Sequence, residues 1–88
     1  MEDQEPKHLV YAFPRAKGEE VQICLRKYKG KSYVDVRIWF QGKNETDFYP
    51  TKKGISFSPE LVPELRKGVE RLAKAMERSR FSKEEVEI

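Results

Sequence analysis

Eighty-eight residues hold one domain and leave no room for two. A chain this short buries only ~60–65% of the surface its unfolded form exposes, which makes it marginal alone and oligomerisation a natural remedy. Charged residues make up 38% of the chain and the formal net charge is +3, yet the charge is unevenly spread, and a concentrated basic centre favours a polyanionic partner.

Residues 1–18 hold Pro6, Pro14, several charges and little periodicity, and are expected to be a flexible N-terminal tail. Their inner run, Leu9-Val10-Tyr11-Ala12-Phe13, is apolar enough to dock or to pair as an extra edge strand. His8, the only histidine, lies beside Lys7, where a solvated role is expected. The segment 1–20 has five acids against three bases. The folded domain is expected over residues 19–80, followed by an acidic tail over 81–88.

Glu19–Tyr28 and Lys31–Phe40 predict two strands of a β-hairpin turning at Lys29-Gly30, where glycine supplies the positive φ of a two-residue turn. The predicted pairs are Tyr28 with Lys31, Arg26 with Tyr33, Leu25 with Val34, Ile23 with Val36 and Val21 with Ile38. Side chains alternate faces along a strand. One face then carries Val21, Ile23, Leu25, Val34, Val36, Ile38 and Phe40, and is read as the core face. The other carries Arg26, Tyr28, Lys31, Tyr33, Arg37 and Trp39. Cys24 falls on the Arg26 side as a small, inert filler. As the single cysteine it excludes an intramolecular disulfide and a multi-cysteine zinc site.

Gln41-Gly42-Lys43-Asn44 predicts the next turn. Asn44-Glu45-Thr46 matches a glycosylation triplet, a chance match in a chain that shows no secretory signal. A weaker third strand is expected over Glu45–Tyr49, ended by Pro50 and placed at an edge. Thr51-Lys52-Lys53-Gly54 reads as a basic loop, and Ile55–Phe57 as a short fourth strand with Ile55 and Phe57 inward. Arg26 to Lys53 carries eight Lys/Arg against three Asp/Glu, a local net of +5.

Ser58-Pro59-Glu60 signals a helix start, with serine as cap, proline at the first position and an acid near the positive end. The helix is predicted over residues 59–78. Its stripe is Val62, Leu65, Val69, Leu72 and Met76, broadened by Leu61 and Ala73. Pro63 conflicts with a cap at Ser58 because it removes a hydrogen bond at the fifth helical position. Either the first turn is distorted or the regular helix starts later. Gly68 weakens the helix by ~1 kcal/mol relative to alanine. The stripe packs on the chain's own sheet, and its near-heptad spacing in so small a chain also predicts a two-fold homodimer through the helix.

Catalysis needs positioned nucleophiles, bases or metals. The chain shows no histidine–carboxylate–nucleophile set, no metal-ligand spacing and no phosphate-binding Gly-rich loop. An enzyme is not expected, nor a cofactor or a metal. Arg26, Lys29, Lys31, Arg37, Lys52 and Lys53 instead suit phosphates, while Tyr28, Tyr33 and Trp39 (or Phe40) suit stacked bases. Alternation alone does not separate single strands from duplex, or DNA from RNA. No apolar run reaches transmembrane length, so no membrane partner is expected. The expected setting is intracellular: cytoplasm or nucleoid in a prokaryote, nucleus in a eukaryote.

Three ordered motifs, Arg26-Lys27-Tyr28-Lys29-Gly30-Lys31, Val34-Asp35-Val36-Arg37-Ile38-Trp39-Phe40 and Lys52-Lys53-Gly54-Ile55-Ser56-Phe57-Ser58-Pro59-Glu60, resemble the transcriptional positive coactivator family (positive cofactor four, or Sub-one). The resemblance covers about residues 20–77. It implies an α+β fold: a curved four-stranded antiparallel sheet, one C-terminal helix, and a two-fold homodimer whose interface here would use Val62, Leu65, Val69, Leu72 and Met76. It also implies tight binding of single-stranded DNA with little sequence preference, and weaker binding of duplex. The lack of a long serine-rich tail favours a short prokaryotic-type member over a eukaryotic coactivator. Family members act at melted DNA in transcription, replication or repair.

Carried over by position, the nucleic-acid-binding residues are Arg26, Tyr28, Lys29, Lys31, Arg37, Phe40, Lys52, Lys53 and Gly54. Tyr28 stands where phenylalanine is usual, Lys52 where arginine is common, and Pro63 departs from the family helix. The family's stacking tryptophan aligns with Phe40, whereas alternation puts Trp39 on the basic face. A bulge near residue 38 would reverse this, so both stay candidates. Competing readings are a protein-interaction adaptor for transcription proteins and an RNA-binding chaperone.

Overall fold

A computed structural model of the chain describes residues 7–78. Four strands, β1 (Lys7–Ala16), β2 (Glu19–Tyr28), β3 (Lys31–Gln41) and β4 (Phe48–Phe57), form one antiparallel sheet in the order β1-β2-β3-β4. A 3₁₀ turn (Pro59–Leu61) and one helix, α1 (Val62–Arg78), complete the described residues.

The central hairpin forms in the predicted register, from Tyr28↔Lys31 through Arg26↔Tyr33 and Val21↔Ile38 to Glu19↔Phe40. Lys29 (φ 53°) and Gly30 (φ 80°) are both left-handed, the backbone of a type I′ turn whose twist matches the flanking strands.

Three expectations need correction. First, the fold begins at Lys7 rather than Glu19: residues 7–16 form the edge strand β1 along β2, which bears out the edge-strand alternative for residues 9–13 and overturns the tail. Register shifts between Leu9 and Tyr11 and between Pro14 and Ala16 break the period-two pattern that marks a strand. The remainder of that segment, residues 1–6, and the acidic tail over 81–88 lie outside the described residues. Second, the expected third strand, basic loop and fourth strand are one strand, β4. Pro50 is accommodated because β4 is an edge, where a missing N–H need not break a ladder. A bulge sets Thr51, Lys52 and Lys53 against Ile38 alone, between the pairs Trp39↔Pro50 and Arg37↔Gly54. Thr51 pins it: its Oγ1 donates to the Ile38 carbonyl (2.8 Å) and accepts from the Lys53 amide (3.1 Å). Third, the Pro63 conflict resolves by a later start. Ser58 accepts from the Glu60 amide (3.3 Å) to cap the 3₁₀ turn. Pro63 then falls in the first turn of α1, where its missing N–H has no intrahelical partner to lose.

The most buried apolar side chains are Cys24, Val34, Ile38 and Trp39, split between the two faces of the sheet. Lys7 Nζ lies 3.8 Å from the centre of the Trp39 ring. Lys7 pairs with Arg26 and Trp39 pairs with Glu20, six positions apart along β2, or ~20 Å at ~3.3 Å per residue. A flat sheet could not bring them together, so the sheet is concave on this side. The helical stripe is left open: Val62, Leu65, Val69 and Leu72 are exposed, Leu72 by 58%, and Met76 is half-buried. An apolar groove of about 470 Å³ separates Val62, Leu65 and Val69 from Ile23, Leu25, Val34, Val36 and Phe57 on the sheet.

Candidate nucleic-acid interface

The concave face is built around one ion pair. Asp35 and Arg37 are two apart on β3, hence on the same side. Asp35 is 3% exposed and accepts from Arg37 Nη2 (2.8 Å) and Nε (3.2 Å), and from Ser56 Oγ (2.7 Å) across the β3–β4 pair. Arg37 Nη1 donates to the Thr51 carbonyl at the bulge (3.1 Å). Burial pushes the Asp35 carboxyl up, but hydrogen bonds from Arg37 and Ser56 and the charges of Arg37 and Arg26 outweigh it and hold the group below the usual carboxylate range. The Asp35 hydrogen bonds in turn raise Arg37, against a smaller opposing effect of burial.

Around this pair opens a groove of about 590 Å³, lined by Arg26, Tyr33, Arg37, Pro50, Thr51 and Lys52, with Asp35 and Ser56 also in its wall. Three predicted cations, Arg26, Arg37 and Lys52, thus converge on one site beside a tyrosine ring. The arrangement offers positive charge for phosphates and a flat ring for a base.

The other predicted residues lie elsewhere. Tyr28 and Lys29 are exposed at the hairpin tip, with Lys29 Nζ 5.3 Å from the Tyr28 ring centre. Lys31 lines a neighbouring depression that shares Tyr33 and Ser56 with the groove. Lys53 and Gly54 line a depression with Phe13, Val21 and Ile38, on the apolar side. A Cβ at Gly54 would come within 2.6 Å of the Val36 carbonyl oxygen and 2.8 Å of Arg37 Cα. Only glycine lets β4 approach β3 this closely.

No irregularity interrupts the β2–β3 ladder at residue 38; the bulge belongs to β4. Trp39 therefore shares the concave side with Arg37, but it is 9% exposed and covered by Lys7. Phe40 is 42% exposed, lies on the apolar side, and tilts against Tyr49 at 5.8 Å between ring centres.

The family model described as Transcriptional Coactivator p15 (PC4) matches residues 15–68, from β1 through the groove into α1. The chain belongs to the PC4 family. Among solved structures it is similar to a PC4 homolog from Burkholderia pseudomallei. In the orthorhombic crystal form the identity is 30% and the TM-score 0.69, covering 75% of this chain and 88% of that one. In the tetragonal form the values are 29% and 0.70, covering 77% and 98%. A bacteriophage T5 homolog of the eukaryotic coactivator PC4, implicated in recombination-dependent DNA replication, shares the fold at 22% identity and a TM-score of 0.52, covering 84% and 80%. No curated protein sequence matches the chain.

The PC4 motifs name the cations of the groove but not what holds them. Asp35, Thr51 and Ser56 are not among the residues that the motifs mark; the one available signal is the two-residue spacing of Asp35 and Arg37, which puts them on the same side. Lys7 lies in the segment that the sequence predicts as tail, and nothing local marks it as a partner of Trp39. Cys24 is 1% exposed and on the expected side. Its Sγ donates weakly to Gln22 Oε1 (3.9 Å), and burial pushes the thiol up, against the reactive, lowered pattern of redox cysteines. Among the described residues no cluster of three metal-ligating side chains occurs, and no helix is long and apolar enough to cross a membrane.

Proposed function

We propose that this chain binds single-stranded DNA with little sequence preference, as a two-fold homodimer and without catalysis, holding strands at melted DNA. The observation that carries the reading is the convergence of Arg26, Arg37 and Lys52 with Tyr33 in one open groove. Cations neutralise backbone phosphates, and the ring stacks a base regardless of its identity. Lys29, Lys31 and Tyr28 at the hairpin tip continue the path beyond the groove, whereas Lys53 lines the depression on the apolar side and is not part of this path.

Exposure supports dimerisation through the stripe of Val62, Leu65, Val69, Leu72 and Met76. A single protomer leaves this stripe and much of the facing sheet uncovered, and apolar area in water is unfavourable by ~25 cal/mol per Å². A second copy, related by a two-fold axis, buries the same patch on both partners.

Fluorescence anisotropy of labelled oligo-dT across a salt series tests the reading, with duplex and RNA of equal length and an acidic peptide as competitors. Oligo-dT should bind best, with log affinity falling by ~0.7 per neutralised phosphate per log unit of salt. Preferential capture of the acidic peptide would point to a protein adaptor, and preferential capture of RNA to an RNA chaperone.

A further inference from the structure

The groove contains a carboxylate where phosphates are to bind. Asp35 is nearly fully buried in its wall, and a negative charge there opposes an incoming phosphate. Its hydrogen bonds explain what it gives in return. The Arg37 guanidinium has five N–H groups. Its Nε and one Nη2 N–H donate to Asp35, and one Nη1 N–H donates to the Thr51 carbonyl. One N–H on each terminal nitrogen remains for a ligand. The Asp35 carboxylate is itself held by Ser56 Oγ from β4 (2.7 Å), and the Thr51 carbonyl by the bulge that Thr51 Oγ1 pins. An arginine side chain free in solution loses rotamer freedom on binding. This one is already fixed by two partners, the Asp35 carboxylate and the Thr51 carbonyl, so less is lost when a phosphate arrives.

We propose that Asp35 is a positioning residue for nucleic-acid binding: steadied by Ser56, it orients Arg37 so that the guanidinium presents its two remaining N–H groups to a backbone phosphate. The proposal rests on the single-stranded DNA reading above. Asp35 does not touch the strand. It acts through Arg37, and its net effect on binding is favourable although its charge has the wrong sign.

That opposition of signs makes the test sharp. Oligo-dT affinity and its salt dependence are measured for the parent, Asp35→Asn, Ser56→Ala, Arg37→Ala and the double variant Asp35→Asn/Arg37→Ala. A carboxylate that merely repels phosphate predicts tighter binding by Asp35→Asn, which removes one negative charge. Positioning predicts binding about tenfold weaker with an unchanged salt slope. In the Arg37→Ala background the loss should vanish or reverse, since a residue acting through Arg37 has nothing left to position. Equal or tighter binding by a folded Asp35→Asn, or an undiminished loss in the Arg37→Ala background, overturns the proposal. If Asp35→Asn does not fold, Ser56→Ala decides: Ser56 is exposed and its removal leaves the charge unchanged. Weakening of about two- to threefold supports positioning, and parental affinity overturns it.

A DNA-free measurement separates this proposal from the reading beneath it. In the NMR spectrum the Arg37 Nε–H should be slowly exchanging in the parent and exchange-broadened in Asp35→Asn. If that holds while the parent ignores oligo-dT, the single-stranded DNA reading fails and the orientation of Arg37 stands. If the Nε–H exchanges equally fast in both, the positioning itself is refuted.

Discussion

The two faces of the sheet both depart from the roles that their composition suggests, since buried residues are divided between them. The face with cations holds the buried Gln22, Cys24, Asp35 and Trp39, while on the apolar face Leu25, Phe40 and Ile55 are exposed. Curvature explains the first half. A concave side crowds its side chains, so a buried polar group there must find partners, as Asp35 does in Arg37 and Ser56. The second half follows from where the helix lies. The single described helix stands across an apolar groove from the sheet rather than closed onto it, so much of the apolar side is left open. Periodicity tells which residues share a side; it does not tell which side is covered.

The sharpest way to break this comparison is at the helix. Leu72→Asp should convert a dimer to a monomer by sedimentation and abolish the concentration dependence of the melting temperature that a dimer must show. A parent that sediments as a monomer would remove the two-fold geometry altogether. Next in size are the rings. Tyr33→Ala on the concave side should weaken oligo-dT binding by about 1–3 kcal/mol, and Phe40→Ala on the apolar side should leave it near parental. The reverse outcome would assign the strand to the other face. Gly54→Ala should destabilise by about 1–3 kcal/mol in chemical denaturation, because the new Cβ meets backbone rather than a movable side chain.

Acid should act through Asp35. Its folded carboxyl lies below the usual range, so the unfolded chain binds the proton first as pH falls. The stability it contributes is present above the unfolded value of about 4 and is lost as pH drops through the lower folded value. Denaturation midpoints of the parent should fall as pH drops below the unfolded carboxylate value of about 4, and less steeply in Asp35→Asn. The smallest effect is expected at Lys7. Removing its contact with Trp39 by Lys7→Ala should cost about 0.5–1 kcal/mol and shift the emission of this single tryptophan to the red.

The hairpin was legible in the sequence because its turn, its register and its alternation are local and agree with one another. The helix was legible for the same reason, apart from Pro63, which needed only a start at Val62. β1 was hidden by two bulges and Pro14, and β4 was read as two pieces because three residues oppose one at Ile38. Arg26, Arg37 and Lys52 were found as cations, but residues that bind nothing themselves, such as Asp35 and Ser56, left only a faint trace.

The sequence by itself determined the turn, register and face alternation of the central hairpin, the apolar stripe of the helix, and the family to which the motifs belong. Short-range sterics and hydrogen bonding settle these, and they act between near neighbours. Only the tertiary structure decided that Trp39 is buried beneath Lys7 and that the β4 bulge brings Lys52 to the groove. It also decided that a carboxylate anchors Arg37. Each of these depends on how strongly the sheet coils and on which distant strand lies opposite. No local pattern records that, because pairing across strands is fixed by the packing of the whole sheet.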